Sequence, residues 1–404
     1  MGAVIFICDG LGDRPATRHG HRTPLQAAHK PNFDRFATEG VGGIMDIIAP
    51  GIRPGSDVAH LSLLGYDPYE VYTGRGPIEA AGVGLELKPG DIAFRCNFAT
   101  VDSNKALIDR RAGRIKKGTT QLARSLNMDL MDTQIICKEG TEHRAVLVLR
   151  GSGLSAAVSD VDPHRDHVPV GAAVPLEPTK EARHTADVLN AFVDQAHKIL
   201  GNHEVNAQRV REGKPPANII LPRGAGVTPQ IEPLSSKYGL RAACVAGVGM
   251  VKGVCTLAGM DVLDVEGATG GLDTDIGAKV KAMNKALDTY DLVLVNVKAP
   301  DLCGHDHDFE GKVKVIERID GALRDALPQD RWIALTADHS TPVDVGDHTG
   351  DPVPLVIRGP GVRTDNVVRY DECSLATGGL GRIRGRDLML ILLDLMGVAK
   401  KFGA

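Results

Sequence analysis

A chain of 404 residues exceeds what one hydrophobic core ordinarily serves, so two domains are the expectation. Hydrophobic residues at 43% and charged residues at 24% are ordinary for a globular protein, and aromatics at 4% leave the cores to Val, Leu, Ile and Ala. A net charge of −4 gives no footprint for nucleic acid and no basic face for a membrane.

The chain opens with Val4–Cys8, a short apolar run that stops at Asp9-Gly10. That pattern is a fully buried strand with an acid at its carboxyl end. The run is too short for a signal peptide or a membrane span, and no basic segment precedes it. Phe6 stands where a myristoylation signal needs Ser or Thr. The seven cysteines (Cys8, Cys96, Cys137, Cys244, Cys255, Cys303, Cys373) include no CxxC pair and read as reduced thiols. A cytoplasmic location is therefore expected.

Next comes Pro54-Gly55-Ser56-Asp57-Val58-Ala59-His60, followed by Leu61, Leu63 and Leu64. The spacing places Ser56 at a helix N-terminus, where free N–H groups and the helix dipole favour a phosphate. The plainer reading is that Ser56 or Asp57 caps the helix. From about 95 to 260 the texture changes to strand-like runs (145–150 and 218–221), a helix near 180–200 and a polar loop over 201–216. Arginines cluster at Asp109-Arg110-Arg111-Ala112-Gly113-Arg114.

Beyond this stretch the buried-strand pattern returns three times. Leu292–Val297 leads to Asp301, Trp332–Ala337 leads to Asp338-His339, and Val353–Ile357 ends at Arg358-Gly359. Helical patterns cover 274–288, 311–327 and 386–396. Buried strands alternating with helices predict a parallel sheet covered on both faces, with the ligand site at the carboxyl ends of its strands. The expected fold is an α/β, αβα sandwich with a mostly parallel sheet, interrupted by a smaller α+β domain. The boundaries are set at 1–95 with 265–404 for the first domain and 96–264 for the insert.

Asp9, Asp301, His305, Asp338, His339 and His348 all fall at that edge. Asp301 and His305 are four residues apart and can share one face of a helical turn. Mixed carboxylate and imidazole donors suit Zn²⁺ or Mn²⁺ better than Ca²⁺, and there are enough of them for two ions. Paired ions stabilise both the attacking and leaving oxygens at phosphorus and activate a hydroxyl such as that of Ser56. Taken singly, each acid is more often a helix cap and each Asp-His pair a loop hydrogen bond. Their recurrence at one sheet edge carries the functional reading.

The motifs CDGLGDRP (8–15), RPGSDVAHLSLLGYDP (53–68), YTGRGPIEAAGVGL (72–85), CNFATVD (96–102), DRRAGRI (109–115), SDVDPH (159–164), VKAPDLCGHDHDFEGKVKVIERID (297–320), LTADHSTP (335–342) and GDHTGDPVPL (346–355) stand in order along nearly the whole chain. In them the chain resembles the archaeal-type 2,3-bisphosphoglycerate-independent phosphoglycerate mutases of the alkaline phosphatase superfamily. The resemblance implies an alkaline phosphatase-like sandwich and transient phosphorylation of Ser56. It implies one ion on Asp9, Ser56, Asp338 and His339, and a second on Asp301, His305 and His348. Mn²⁺ is favoured, with Zn²⁺, Co²⁺ or Mg²⁺ as alternatives, and no 2,3-bisphosphoglycerate is needed. The substrate is a phosphoglycerate held by Arg75, Arg111, Arg114, Asp162, His164 and Lys252. His307 departs from the family pattern. A homo-oligomer is compatible with the sequence; a nucleic-acid or membrane partner is not expected.

Three other readings remain open at this point. A phosphomonoesterase or another phosphomutase would use the same metal set. A small-metabolite kinase lacks a GxxxxGK[ST] loop, and Gly247–Gly253 is one residue too long for GxGxxG. A metal-stabilised interaction module would more ordinarily use cysteines.

Overall fold

A computed structural model describes residues 2–324 and 330–403. The chain divides into two compact units, one formed by Met1–Tyr72 with Ile231–Ala404, the other by Thr73–Gln230. In chain order the strands are β1 (Ala3–Cys8), β2 (Val41–Asp46), β3 (Ile92–Val101), β4 (Leu107–Asp109), β5 (Met128–Leu130), β6 (Thr133–Glu139), β7 (Arg144–Arg150), β8 (Ile219–Val227), β9 (Ala242–Val245), β10 (Asp261–Val262), β11 (Leu292–Val297), β12 (Trp332–Thr336), β13 (Val353–Arg358) and β14 (Gly381–Arg384).

The first unit is built on an eight-stranded sheet in the order β10-β9-β11-β1-β12-β13-β2-β14. Every residue of β1, β11 and β12 is buried, as expected of strands covered on both faces. β1 pairs in parallel with both β11 and β12. β13 departs from the expected parallel arrangement: it runs antiparallel to both β12 and β2. The reason lies in the connection. Residues 337–352 contain no helix, and a crossover to a parallel neighbour ordinarily needs one. The reversal puts the beginning of β13, rather than its end at Arg358, at the carboxyl edge of β1, β11 and β12.

The second unit carries a six-stranded sheet, with β4-β3-β7-β6-β5 in order and β8 also paired to β3. Its pairings are antiparallel throughout. The Lys180–Gly201 helix starts at Thr179, whose side chain accepts from Ala182 N. It buries Ala182, Ala186, Leu189, Phe192, Val193, Ala196 and Leu200 at helical spacing, and all of these but Ala182 share one core with Phe94, Phe98 and Leu147 of the sheet.

Both unit boundaries fall earlier than the sequence placed them. The Arg75–Gly82 helix lies so close to β3 that a Cβ on Gly76 would come within 2.0 Å of Ala93 O. At the other junction, β9 pairs in parallel with β11 of the large sheet. Residues 73–95 therefore join the second unit and 231–264 the first. The stretch read as a polar loop over 201–216 contains the Glu204–Arg211 helix. His203 caps it through Val205 N, and buried Asn206 bonds Leu200 O and both backbone groups of Ala217. The expected 311–327 helix is observed as Phe309–Ala322, and 325–327 lie outside the described residues. Among the described residues no helix is long and apolar enough to cross a membrane.

Candidate active site

Four segments of the first unit deliver acids and histidines to one edge of the large sheet. Asp9 follows β1, with its N–H on Val297 O at the end of β11. Asp338 and His339 follow β12. Asp301 and His305 occupy the Ala299–His305 helix after β11, one turn apart. His348 reaches the same edge because β13 starts there. Gly10 is demanded at the centre: its φ is +66°, and a Cβ would lie 2.6 Å from Asp301 Cβ. Its N–H bonds Asp338 Oδ1 at 3.1 Å.

Ser56 is the first residue of the Ser56–Leu63 helix, whose N-cap is Gly55 and lacks a side-chain cap bond. Ser56 does not cap the helix. Its Oγ lies 3.1 Å from His339 Nε2. That nitrogen is 3.5 Å from Asp9 Oδ1 and 3.3 Å from Asp338 Oδ2.

The three imidazoles share one arrangement. His305 Nδ1 faces Gly346 O at 2.9 Å and His348 Nδ1 faces Pro54 O at 2.8 Å, so both carry their proton there. His339 Nδ1 is 3.0 Å from Thr341 Oγ1, whose own proton goes to Asp301 Oδ1 at 2.7 Å. Each Nε2 is thereby left toward the carboxylates. His305 and His348 Nε2 stand 3.4 and 3.5 Å from Asp301 Oδ1. Metal-binding histidines are oriented in this way, the far ring nitrogen being tied to a carbonyl or hydroxyl.

The charges at this edge do not balance by themselves. Burial, with the like charges of Asp9 and Asp301, pushes Asp338 well above the carboxylate range. Its Oδ2 is buried without a hydrogen-bond partner. Burial also acts on Asp301, but His348, Lys298 and His339 together hold it below the usual range. His339 is held well below its ordinary value, chiefly by burial, and so keeps a lone pair for a ligand. Sequence reasoning missed Lys298. Its Nζ lies 2.8 Å from Asp9 Oδ1 and 2.6 Å from Asp301 Oδ2, and these acids keep it protonated despite burial. Its position at the end of β11, three residues before Asp301, was the available signal. An orphaned carboxylate oxygen among three carboxylates and three oriented imidazoles fits divalent cations.

His307 turns away. Its Nδ1 bonds Val343 O at 2.7 Å and its ring packs over Gly346, so it braces the loop that carries His348. Lys252 belongs to the first unit rather than the insert, half-buried on the Gly249–Leu257 helix. Gly247 there has a packing reason, since a Cβ would meet the Thr269 backbone at 2.1 Å.

The second unit gathers opposite charge. Arg95 of β3 and Arg223 of β8 stand directly opposite each other beside a register shift. Like charges in that position are destabilising, and bulges often re-aim side chains at sites. Arg75 and Arg95 share Glu79, with Nε at 3.3 and 3.5 Å from its Oε1. Arg110 grips Asp162 through two bonds of 2.9 and 2.7 Å. Arg223 approaches Asp162 at 3.6 Å and His164 Nδ1 at 3.5 Å. Burial and the neighbouring Arg75 push Arg95 down to about 9, and the Nε atoms of Arg95 and Arg223 are buried without hydrogen-bond partners. Arg75, Asp162 and His164 are thus joined, through Arg95, Arg110 and Arg223, which the sequence reading had not selected. Arg111 and Arg114 stand exposed on the following turn, outside this set of bonds.

Fold and site together define a mixed α/β enzyme with acid–imidazole chemistry at the carboxyl edge of a mostly parallel sheet. The family model for 2,3-bisphosphoglycerate-independent phosphoglycerate mutase matches residues 37–206. The chain is 55% identical to 2,3-bisphosphoglycerate-independent phosphoglycerate mutase 1 of Methanothermobacter thermautotrophicus, with 100% of both chains covered. It is 50% identical to the corresponding protein of Methanocaldococcus jannaschii, covering 99% of this chain and 98% of that one. Among solved structures, the cofactor-independent phosphoglycerate mutase of Thermoplasma acidophilum aligns with TM-score 0.72 and 40% identity over 98% of this chain and 99% of that one. A Pyrococcus horikoshii protein aligns with TM-score 0.86 and 39% identity over 100% and 99%. The chain belongs to the 2,3-bisphosphoglycerate-independent phosphoglycerate mutase family, and is an isomerase.

Proposed function

We propose that the protein interconverts 3-phosphoglycerate and 2-phosphoglycerate through a phosphorylated Ser56, without 2,3-bisphosphoglycerate. The observation that carries this reading is the placement of Ser56 Oγ, buried at the start of a helix and 3.1 Å from His339 Nε2, among three carboxylates and Lys298. Asp9, Ser56, Asp338 and His339 would hold one divalent ion, and Asp301, His305 and His348 a second, with Mn²⁺ favoured over Zn²⁺, Co²⁺ or Mg²⁺. Bound there, the ions would neutralise charge on the transferring phosphoryl group and favour the serine alkoxide.

The remaining work falls to the chain's own groups. Ser56 Oγ forms a bond to phosphorus as the bond to the glycerate 3-oxygen breaks, and the serine proton is balanced by protonation of that oxygen. The 2-hydroxyl then takes the phosphoryl group back and restores the serine. Lys298 supplies fixed positive charge beside Asp9 and Asp301. Arg75, Arg95 and Arg223 have the charge and planar donors to retain a glycerate carboxylate or phosphate between the two steps, and Asp162 and His164 beside them are further candidates to contact the substrate. Arg111, Arg114 and Lys252 remain further candidates for that role. The reading places the enzyme in the cytoplasm, with a small-molecule substrate as its partner.

The test is a coupled assay with 3-phosphoglycerate and Mn²⁺ in the absence of 2,3-bisphosphoglycerate. Wild type should form 2-phosphoglycerate, and Ser56→Ala should lose about 10³-fold or more of kcat. Accumulation of free phosphate with no isomer would replace the mutase reading with a phosphatase.

A further inference from the structure

Behind the reacting groups lies a pair of buried polar side chains that the reaction as described does not use. His60 stands one turn after Ser56 on the same helix and is fully buried. Its Nδ1 is 2.7 Å from the carbonyl oxygen of Ser56. A carbonyl only accepts, so the ring proton sits on Nδ1 and Nε2 carries the lone pair. That Nε2 faces Asn296 Nδ2 at 3.3 Å.

Asn296, also fully buried, is the fifth residue of β11 and stands opposite Ile7 of β1. Strand alternation places the Ile7 side chain on the sheet face to which the chain returns at Asp9. Asn296 Nδ2 reaches Asp9 Oδ2 at 3.0 Å. The amide nitrogen has two hydrogens and faces two acceptors, so its orientation is fixed: an oxygen in its place would face two lone pairs. Lys279, buried on its own helix, bonds the backbone carbonyl of Asn296 at 2.9 Å and fixes the strand from behind.

We infer that His60 and Asn296 form a positioning bridge between the nucleophile and Asp9. Asn296 occupies Asp9 Oδ2 and so leaves Oδ1 to face Lys298 and His339. His60 ties the same amide to the carbonyl of Ser56. The bridge thus sets the start of the Ser56 helix against the carboxylate with which Ser56 is proposed to share an ion. A purely structural pair would have little reason for its composition. Asn296 Oδ1 is buried with no hydrogen-bond partner, an arrangement that costs stability relative to an apolar residue of similar size.

This inference rests on the proposed metal assignment, and its test separates the two. Asn296→Leu, His60→Asn and the double variant are stripped with EDTA and titrated with Mn²⁺ by calorimetry, and kcat and KM are measured after reloading. His60→Asn keeps a donor close to the position of Nδ1 but loses the acceptor at Nε2. Each single variant should weaken Mn²⁺ binding by about tenfold or more. kcat should fall by a similar factor while KM for 3-phosphoglycerate changes less than about twofold, as expected when orientation of the reacting groups is lost. The double variant should be little worse than either single one, because the two residues act as a unit. Folded variants with wild-type Mn²⁺ affinity and kcat, or losses that simply multiply, would overturn the bridge. A wild type that binds Mn²⁺ without mutase turnover would instead overturn the proposed reaction and leave the affinity test standing. Should Asn296→Leu not fold, Asn296→Ser removes the same donors with less bulk and is read by the same criteria.

Discussion

The two units are electrostatically incomplete in opposite senses. At the edge of the large sheet Asp9, Asp301 and Asp338 face Lys298, and Asp338 Oδ2 remains orphaned. In the second unit Arg75, Arg95, Arg110 and Arg223 are set against Glu79 and Asp162, and two buried guanidinium Nε atoms are orphaned. Neither imbalance suits a core whose only task is stability, because an uncompensated buried charge is costly. The first region carries an excess of acid and the second an excess of base. Under the proposed reaction, ions would sit beside the reacting oxygens and cationic side chains would keep hold of the rest of the substrate.

The comparison is broken most directly by neutralising the orphaned acid. Asp338→Asn keeps an acceptor for Gly10 N but removes the charge. It should lower kcat by about 10³-fold and weaken Mn²⁺ binding, while the metal-free protein becomes more stable to heat. Unchanged Mn²⁺ stoichiometry and turnover would show that the acid excess is not a metal site. The converse change is Arg223→Met, which relieves the charge pair with Arg95. KM for phosphoglycerate should rise by about 10–100-fold, and free phosphate should appear alongside 2-phosphoglycerate as the glycerate is retained less well. A KM within twofold of wild type would remove the second region from the substrate's path.

The smallest effect lies in the first unit but outside the acid–imidazole cluster. Glu372 accepts from Asp13 N and Thr23 Oγ1, and burial, with Asp13 nearby, pushes its carboxyl up to about 7. A carboxyl raised on folding favours the folded state while it is protonated. Its contribution is complete below its unfolded value of about 4.5 and is lost as pH rises toward 7. Glu372→Gln should therefore flatten the pH dependence of Tm between about 5 and 7. At pH 8 it should gain about 1–2 kcal/mol relative to wild type, with kcat unaltered. A variant whose Tm still falls across that window would sink the assignment.

Much of the site could be read from local sequence. Apolar runs ending in Asp9, in Asp301 with His305, and in Asp338-His339 announce buried strands that deliver acids, and Gly55-Ser56 followed by Leu61 and Leu63 announces a helix start. These are patterns of period and termination, which a chain carries within a few residues. Lys298 was overlooked because a lysine after a strand looks like any solvated lysine until two carboxylates are placed around it. Arg95 and Arg223 were overlooked because each is a single polar residue within a strand pattern, and their meaning arises only from strand register. His307 attracted notice as an extra imidazole, yet its ring is committed to Val343 O.

The sequence by itself determined the α/β class, the strands that carry the acids, Ser56 at the head of its helix, and membership of a family recognisable along the whole chain. Tertiary structure alone decided where the units divide, that the Glu204–Arg211 segment is helical, and that β13 runs antiparallel. That last choice places His348 at the same edge as Asp301. The physical reason is that periodicity and capping are local properties, whereas strand direction, register and the pairing of buried charges depend on residues hundreds of positions apart.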